Sequence, residues 1–165
     1  MGEEGRTGNL RGVARRCRRQ GSAGVAATVK ETPGGIGYVE LAYALGNDLA
    51  VADIQNRAGS WIQPTAAAAT AAVDAFQSEL AQDVRIPVVD PPATARGAYP
   101  ISGLTYLLVP KQAKDPAKQA IVKEFIQYII TEGQASAQTL QYATLPLSLE
   151  QQDQKLLAEI QSGGG

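Results

Sequence analysis

The chain of 165 residues contains no histidine and a single cysteine. Without histidine it lacks the commonest general base and the commonest metal ligand, and one cysteine excludes both an internal disulfide and a cysteine-rich zinc site. Much enzyme chemistry is thereby set aside, because paired carboxylates or an activated lysine would have to do the work and neither stands in a persuasive spacing. No run of about 18 apolar residues is present to span a bilayer, and no basic-then-apolar opening resembles a secretory signal, so the sequence as written is expected to stay cytoplasmic. The net charge of -1 gives no global nucleic-acid signal, while 44% hydrophobic residues suit burial of one ordinary core.

Arginine is distributed unevenly. Residues 1–20 hold six arginines, whereas the rest of the chain has only Arg57, Arg85 and Arg96. The cluster Arg15, Arg16, Arg18 and Arg19 reads in three ways. It is an arm for nucleic acid or anionic lipid, since grouped guanidinium groups bind phosphates. It is an unstructured tail without aromatic residues or apolar periodicity. Or it is an out-of-frame translation, a reading taken up below.

From Gly21 onward the pattern is globular. Val25, Ala26 and Val29 recur at helical spacing and predict a helix over 22–31. Thr32-Pro33-Gly34-Gly35 ends it, with glycine supplying a positive backbone angle. Ile36, Tyr38 and Val39 predict a short strand, and Gly37 within it marks close approach of another group. A brief helical turn over 41–45 follows. Segments 49–54 and 60–63 flank Asn56-Arg57-Ala58-Gly59 and predict a hairpin, with Trp61 packed rather than stacked on a ligand. An alanine-rich helix is expected from Pro64-Thr65 to about Ala81.

Residues 83–100 carry Pro87, Pro91, Pro92 and Pro100 and read as an extended crossing between packed units. Ile101 to Val109 predicts a strand buried on both faces, stopped by Pro110. Asp115-Pro116 then caps a helix whose apolar stripe comprises Ile121, Val122, Phe125, Ile126, Ile129 and Ile130. Gly133 interrupts it, a helix over 134–140 follows, and a last helix is expected with Ser148 as its cap.

The segments GVAATVKETPGGIGYVELAYAL, AYPISGLTYLLVPK, DPAKQAIVKEFIQYIITEGQ and YATLPLS stand in a characteristic order. Together they make the chain, from about Gly21 to Ile160, resemble the C-terminal half of the phosphate-binding proteins of bacterial phosphate-specific ABC transporters. The resemblance implies an α/β, periplasmic-binding-protein-like fold of type II, present here as incomplete parts of two lobes, each a sheet flanked by helices. Residues 21–82 would form part of the second lobe, 83–100 the interlobe crossing, and 101–162 the C-terminal part of the first lobe. It further implies capture of inorganic phosphate and delivery to a membrane permease, without catalysis, cofactor or metal, at the periplasmic or outer face of the membrane.

In that family, helix N-termini, serine and threonine hydroxyls, an arginine and aspartates hold the anion. A carboxylate there accepts the proton of hydrogen phosphate and opposes fully deprotonated sulfate. The segments that carry those ligands do not precede Gly21, so no phosphate-binding residue is assigned. Ser102-Gly103-Leu104-Thr105 lies in the return strand and matches no ligand motif, and Asp53, Arg57, Asp90 and Arg96 read as solvated charges. Family members carry Gly-Gly-Lys-Gly just ahead of the first helix. Codons for Arg18-Arg19-Gln20-Gly21 read one base later can encode that peptide, which motivates the out-of-frame reading of residues 1–20. A basic interaction arm on anionic partners is the alternative function.

Overall fold

The computed structural model describes residues 21–112 and 115–160. The three readings of the arginine cluster fall on residues 1–20, outside the described residues. Two compact units divide the chain, one ending at Leu49 and the other beginning at Ala50.

In the first unit, α1 (Gly21–Glu31) forms as the spacing predicts and buries Ala26. Gly34 follows at φ +73, in the left-handed region that a helix exit demands and that glycine enters without strain. The chain then extends along α1 and enters α2 (Leu41–Gly46), which buries Ala44. Gly37 is the point of closest approach: a Cβ there would sit 2.5 Å from Val29 Cγ2 and 3.0 Å from Val25 Cγ1. The close neighbour foreseen for Gly37 is therefore α1. The strand expected at 36–39 does not form. Among the described residues no other strand pairs with it, and an isolated extended segment has no ladder to join. Ile36 and Tyr38 are left almost fully exposed.

The second unit opens with a hairpin of β1 (Ile54–Gln55) and β2 (Trp61–Ile62), antiparallel, with Ile54 opposite Ile62 and Gln55 opposite Trp61. Its strands are shorter than the sequence suggests, and Trp61 faces solvent rather than packing, because no layer among the described residues lies over that face of the two-stranded ribbon. The alanine-rich segment breaks in two, giving α3 (Ala66–Asp74) and α4 (Gln77–Leu80). Thr65 caps α3 by accepting from the Ala68 N–H. The break at Ala75 and Phe76 leaves Val73, Phe76 and Leu80 in one core with Val88, Leu149 and Leu104.

Residues 83–100 run without helix or ladder until Val89 forms a single antiparallel bridge with Ile101. Beyond it, residues 102–109 join no ladder among the described residues, so the predicted central strand is instead a lone segment. Two of its side chains are anchored: Leu104 in the core just described, and Val109 in a second core with Ile126, Ile130, Leu157 and Ile160. Burying side chains of this size contributes on the order of 1.5–3 kcal/mol each. Leu145 belongs to both cores and joins them.

Helix α5 (Pro116–Ile130) starts as predicted, with the Asp115 carboxylate accepting from the Ala117 and Lys118 N–H groups and proline in the first turn. Only part of its apolar stripe is covered. Ile126 and Ile130 pack, whereas Ile121 and Phe125 are largely exposed. After Gly133 come α6 (Gln134–Thr139) and α7 (Leu147–Ala158). The last helix begins one residue before the expected cap: Pro146, not Ser148, occupies the N-cap position, and its carbonyl accepts from the Leu149 and Glu150 N–H groups.

Candidate functional site

The most densely bonded polar cluster in the second unit is built on the hairpin loop. Asn56 is buried, a rare location for its residue type unless every polar atom is paired. Its Oδ1 accepts from the N–H groups of Ala58 and Ser60, both at 3.1 Å, which folds the loop on itself. Its Nδ2 donates to the carbonyls of Arg96 at 2.9 Å and Ala98 at 3.1 Å. One amide thus ties a local turn to a loop some 40 residues further on. Beside it, Arg57 and Asp90 form an exposed ion pair. Asp90 also holds φ +51, unusual for a residue other than glycine, while its N–H donates to the Pro100 carbonyl at 2.8 Å. The two charges read from sequence as unpaired solvated groups are thereby partners. Sequence offered no signal for that, since 33 residues separate them.

The loop 92–98 and the end of α3 enclose a shallow, open cavity of about 380 Å³. Asp74, Thr94 and Arg96 are its polar side chains, among alanines, Pro92 and Gly97. This lining does not suit a phosphate dianion. Asp74 and the carbonyl end of α3 both present negative potential there, against a single guanidinium, and among the described residues no helix N-terminus lines the space.

The Ser102–Thr105 stretch does not form an anion cradle either. Ser102 Oγ donates to the Tyr99 carbonyl at 3.1 Å, and Thr105 lies exposed on the unpaired segment. Tyr106 fastens that segment instead, its phenol donating to the Val84 carbonyl at 2.7 Å. Burial, assisted by the negative charge of Asp83, raises the Tyr106 phenol above its ordinary value and keeps it a donor. Asp83 is itself lowered to about 2, chiefly by side-chain hydrogen bonds from Arg85, then by the Arg85 backbone N–H. Among the described residues no group of three acidic, histidine or cysteine side chains could hold a metal ion, and no helix is long and apolar enough to cross a membrane.

Comparison with known proteins decides the family. The PBP superfamily domain matches residues 4–132. The chain belongs to the PBP superfamily. Similar curated proteins include the phosphate-binding protein PstS of Xylella fastidiosa, 39% identical over 133 residues, which cover 81% of this chain and 36% of that protein. The PstS of Pasteurella multocida is 33% identical over 147 residues, 88% of this chain and 42% of its own length. An archaeal PstS, from Methanocaldococcus jannaschii, is 36% identical over 135 residues, 75% of this chain and 33% of its own.

The chain therefore spans roughly a third to two fifths of the length of these PstS relatives. The resemblance noted in the sequence motifs is correct, and the fold is a partial α/β PBP-like one, helix-rich, with a single two-stranded sheet among the described residues. The superfamily match also takes in residues 4–20, ahead of the point where those motifs begin.

Proposed function

We propose that the chain is a partial phosphate-binding component of an ABC-type phosphate importer. In the full-length protein its role is to take part in capturing inorganic phosphate outside the cytoplasmic membrane and delivering it to the membrane permease, without catalysis. The observation that carries this reading is identity of 32–39% to five proteins named PstS, over three quarters or more of this chain each time.

By itself the chain is not a phosphate receptor. The cavity at the end of α3 combines an acidic side chain and a helix C-terminus, and the Ser102 hydroxyl is already committed to a carbonyl. Equilibrium dialysis with radiolabelled phosphate, with sulfate as competitor, tests both statements. The chain alone is expected to show no micromolar affinity. A chimera in which residues 21–160 replace the matching segment of the Xylella relative is expected to bind phosphate and to ignore sulfate. A folded chimera without phosphate affinity would refute the functional reading, and tight binding by the chain alone would refute the claim that it is incomplete as a receptor.

A further inference from the structure

Two opposite charges border the cavity at the end of α3 without meeting. Asp74 is the last residue of α3 and Arg96 belongs to the loop 92–98, and both line the same space of about 380 Å³. Among the described residues, neither the Asp74 carboxylate nor the Arg96 guanidinium takes part in an ion pair or a side-chain hydrogen bond, with each other or with any other group. The other charged groups of this region are committed: Arg57 pairs with Asp90, and Arg85 with Asp83. The two that line the cavity are the ones left over.

The backbone that carries them is fixed. The buried Asn56 amide holds the Arg96 carbonyl at 2.9 Å and the Ala98 carbonyl at 3.1 Å. Within the loop the Ala95 N–H donates to the Pro92 carbonyl at 2.9 Å and the Ala98 N–H to the Ala95 carbonyl at 3.1 Å, while the following Tyr99 N–H donates to Ala68 of α3 at 3.0 Å. Loop and helix are therefore tied to each other, and the spacing of the residues bearing the two charges is set before any ligand arrives. A wall ordered in advance spares a ligand part of the entropy of binding.

The charges decide the class of ligand. A simple anion would meet Asp74 and the carbonyl end of α3, and a simple cation would meet Arg96. A zwitterion satisfies both: its ammonium goes to Asp74 and the α3 carbonyls, where the helix dipole favours positive charge, and its carboxylate takes two parallel N–H bonds from the planar Arg96 guanidinium. The Thr94 hydroxyl can donate to or accept from either group. Ala71, Ala75 and Pro92 leave apolar wall for an aliphatic side chain. We propose that this cavity binds a zwitterionic α-amino acid with an aliphatic side chain. The site lies wholly within the second unit and does not depend on the phosphate reading. Asp74 and Arg96 are exposed, so each contact is worth little and affinity is expected on the order of 1 mM.

The test titrates L-leucine into the isotope-labelled full chain and follows its backbone amides by NMR, at low salt and at about pH 6.5, where the ligand amine is protonated. Leucinamide, which carries only the positive charge, and N-acetylleucine, which carries only the negative one, are titrated in parallel. L-leucine is expected to shift the amides of residues 71–75 and 94–98 and to saturate, with each singly charged analogue weaker by about fivefold. Asp74→Asn and Arg96→Gln are each expected to weaken L-leucine by a similar factor, about fivefold. Both positions are exposed, and the Asn56 bonds run to main-chain carbonyls, so the loop keeps its shape in either variant. Absence of shifts at these amides overturns the proposal. Leucinamide binding as well as L-leucine would make this a cation site, equal binding of N-acetylleucine would make it an anion site, and variants that bind like the parent would place leucine elsewhere; each of these also overturns it.

Discussion

Asn56 shows how much one amide can organise. It donates to two carbonyls and accepts from two backbone N–H groups, all within ordinary hydrogen-bond distance. Replacing it with alanine strands the Arg96 and Ala98 carbonyls in a buried place, and Asn56→Ala is expected to cost roughly 2–4 kcal/mol in urea unfolding. Asn56→Asp keeps the acceptor oxygen but turns a carboxylate toward those carbonyls, so at neutral pH it should be at least as damaging and should recover as the pH falls. A second residue works in the opposite sense. Asp153 on α7 is half-buried, and that burial raises its carboxyl above the ordinary range. A raised carboxyl contributes stability that is complete below the unfolded value and is lost as pH rises through the folded one. Asp153→Asn is therefore expected to increase the melting temperature near pH 7 and to leave it unchanged near pH 3, by calorimetry at both. Neither role was legible in the sequence, because one depends on which distant carbonyls lie opposite the amide and the other on how deeply the fold buries the carboxyl.

Whole elements were easier to read than single contacts. Helices α1, α2, α5 and α6 lie within a residue or so of where periodicity, caps and glycine placed them, since those signals act over a few neighbouring residues. Strands were a different matter. Ile36–Val39 and Ile101–Val109 have the composition of strands, but a strand exists only by pairing, and composition does not say whether a neighbour is present. Trp61 and half of the α5 stripe fail for the same reason, being apolar surfaces whose cover is not among the described residues. The glycine at 37 was legible as a close approach, and its partner is now known. Gly37→Ala places a methyl group against Val29 and is expected to cost about 1–3 kcal/mol of local stability. Adding Val29→Ala should make the pair less harmful than the sum of the two single changes, a coupling that a double-mutant cycle of hydrogen-exchange protection in α1 would register.

At the scale of the molecule, family membership was legible from the order and spacing of several motifs, and the candidate site was not. Four segments at consistent distances are improbable by chance, whereas a ligand site needs groups converging from several elements. The second unit has two real cores joined through Leu145, yet Ile121, Phe125, Leu107, Leu108 and Leu147 stay outside them. Such an amount of uncovered apolar surface is characteristic of an element set that packs against something further.

The open segment at 102–109 has one more consequence, for the lifetime of the chain. Endopeptidases bind their substrates as extended backbone and hydrogen-bond both edges, so a strand that is extended, exposed and unpaired is already in the shape a protease cleft selects. Brief chymotrypsin treatment is expected to cut first at Tyr106, Leu107 or Leu108, ahead of the exposed but helical Phe125 and Leu147 positions. First cleavage inside α5 or α7 would mean that those helices open more readily than the extended segment can be gripped. In a cell, the lifetime of this protein would then be set by protease access to this segment rather than by the stability of its cores.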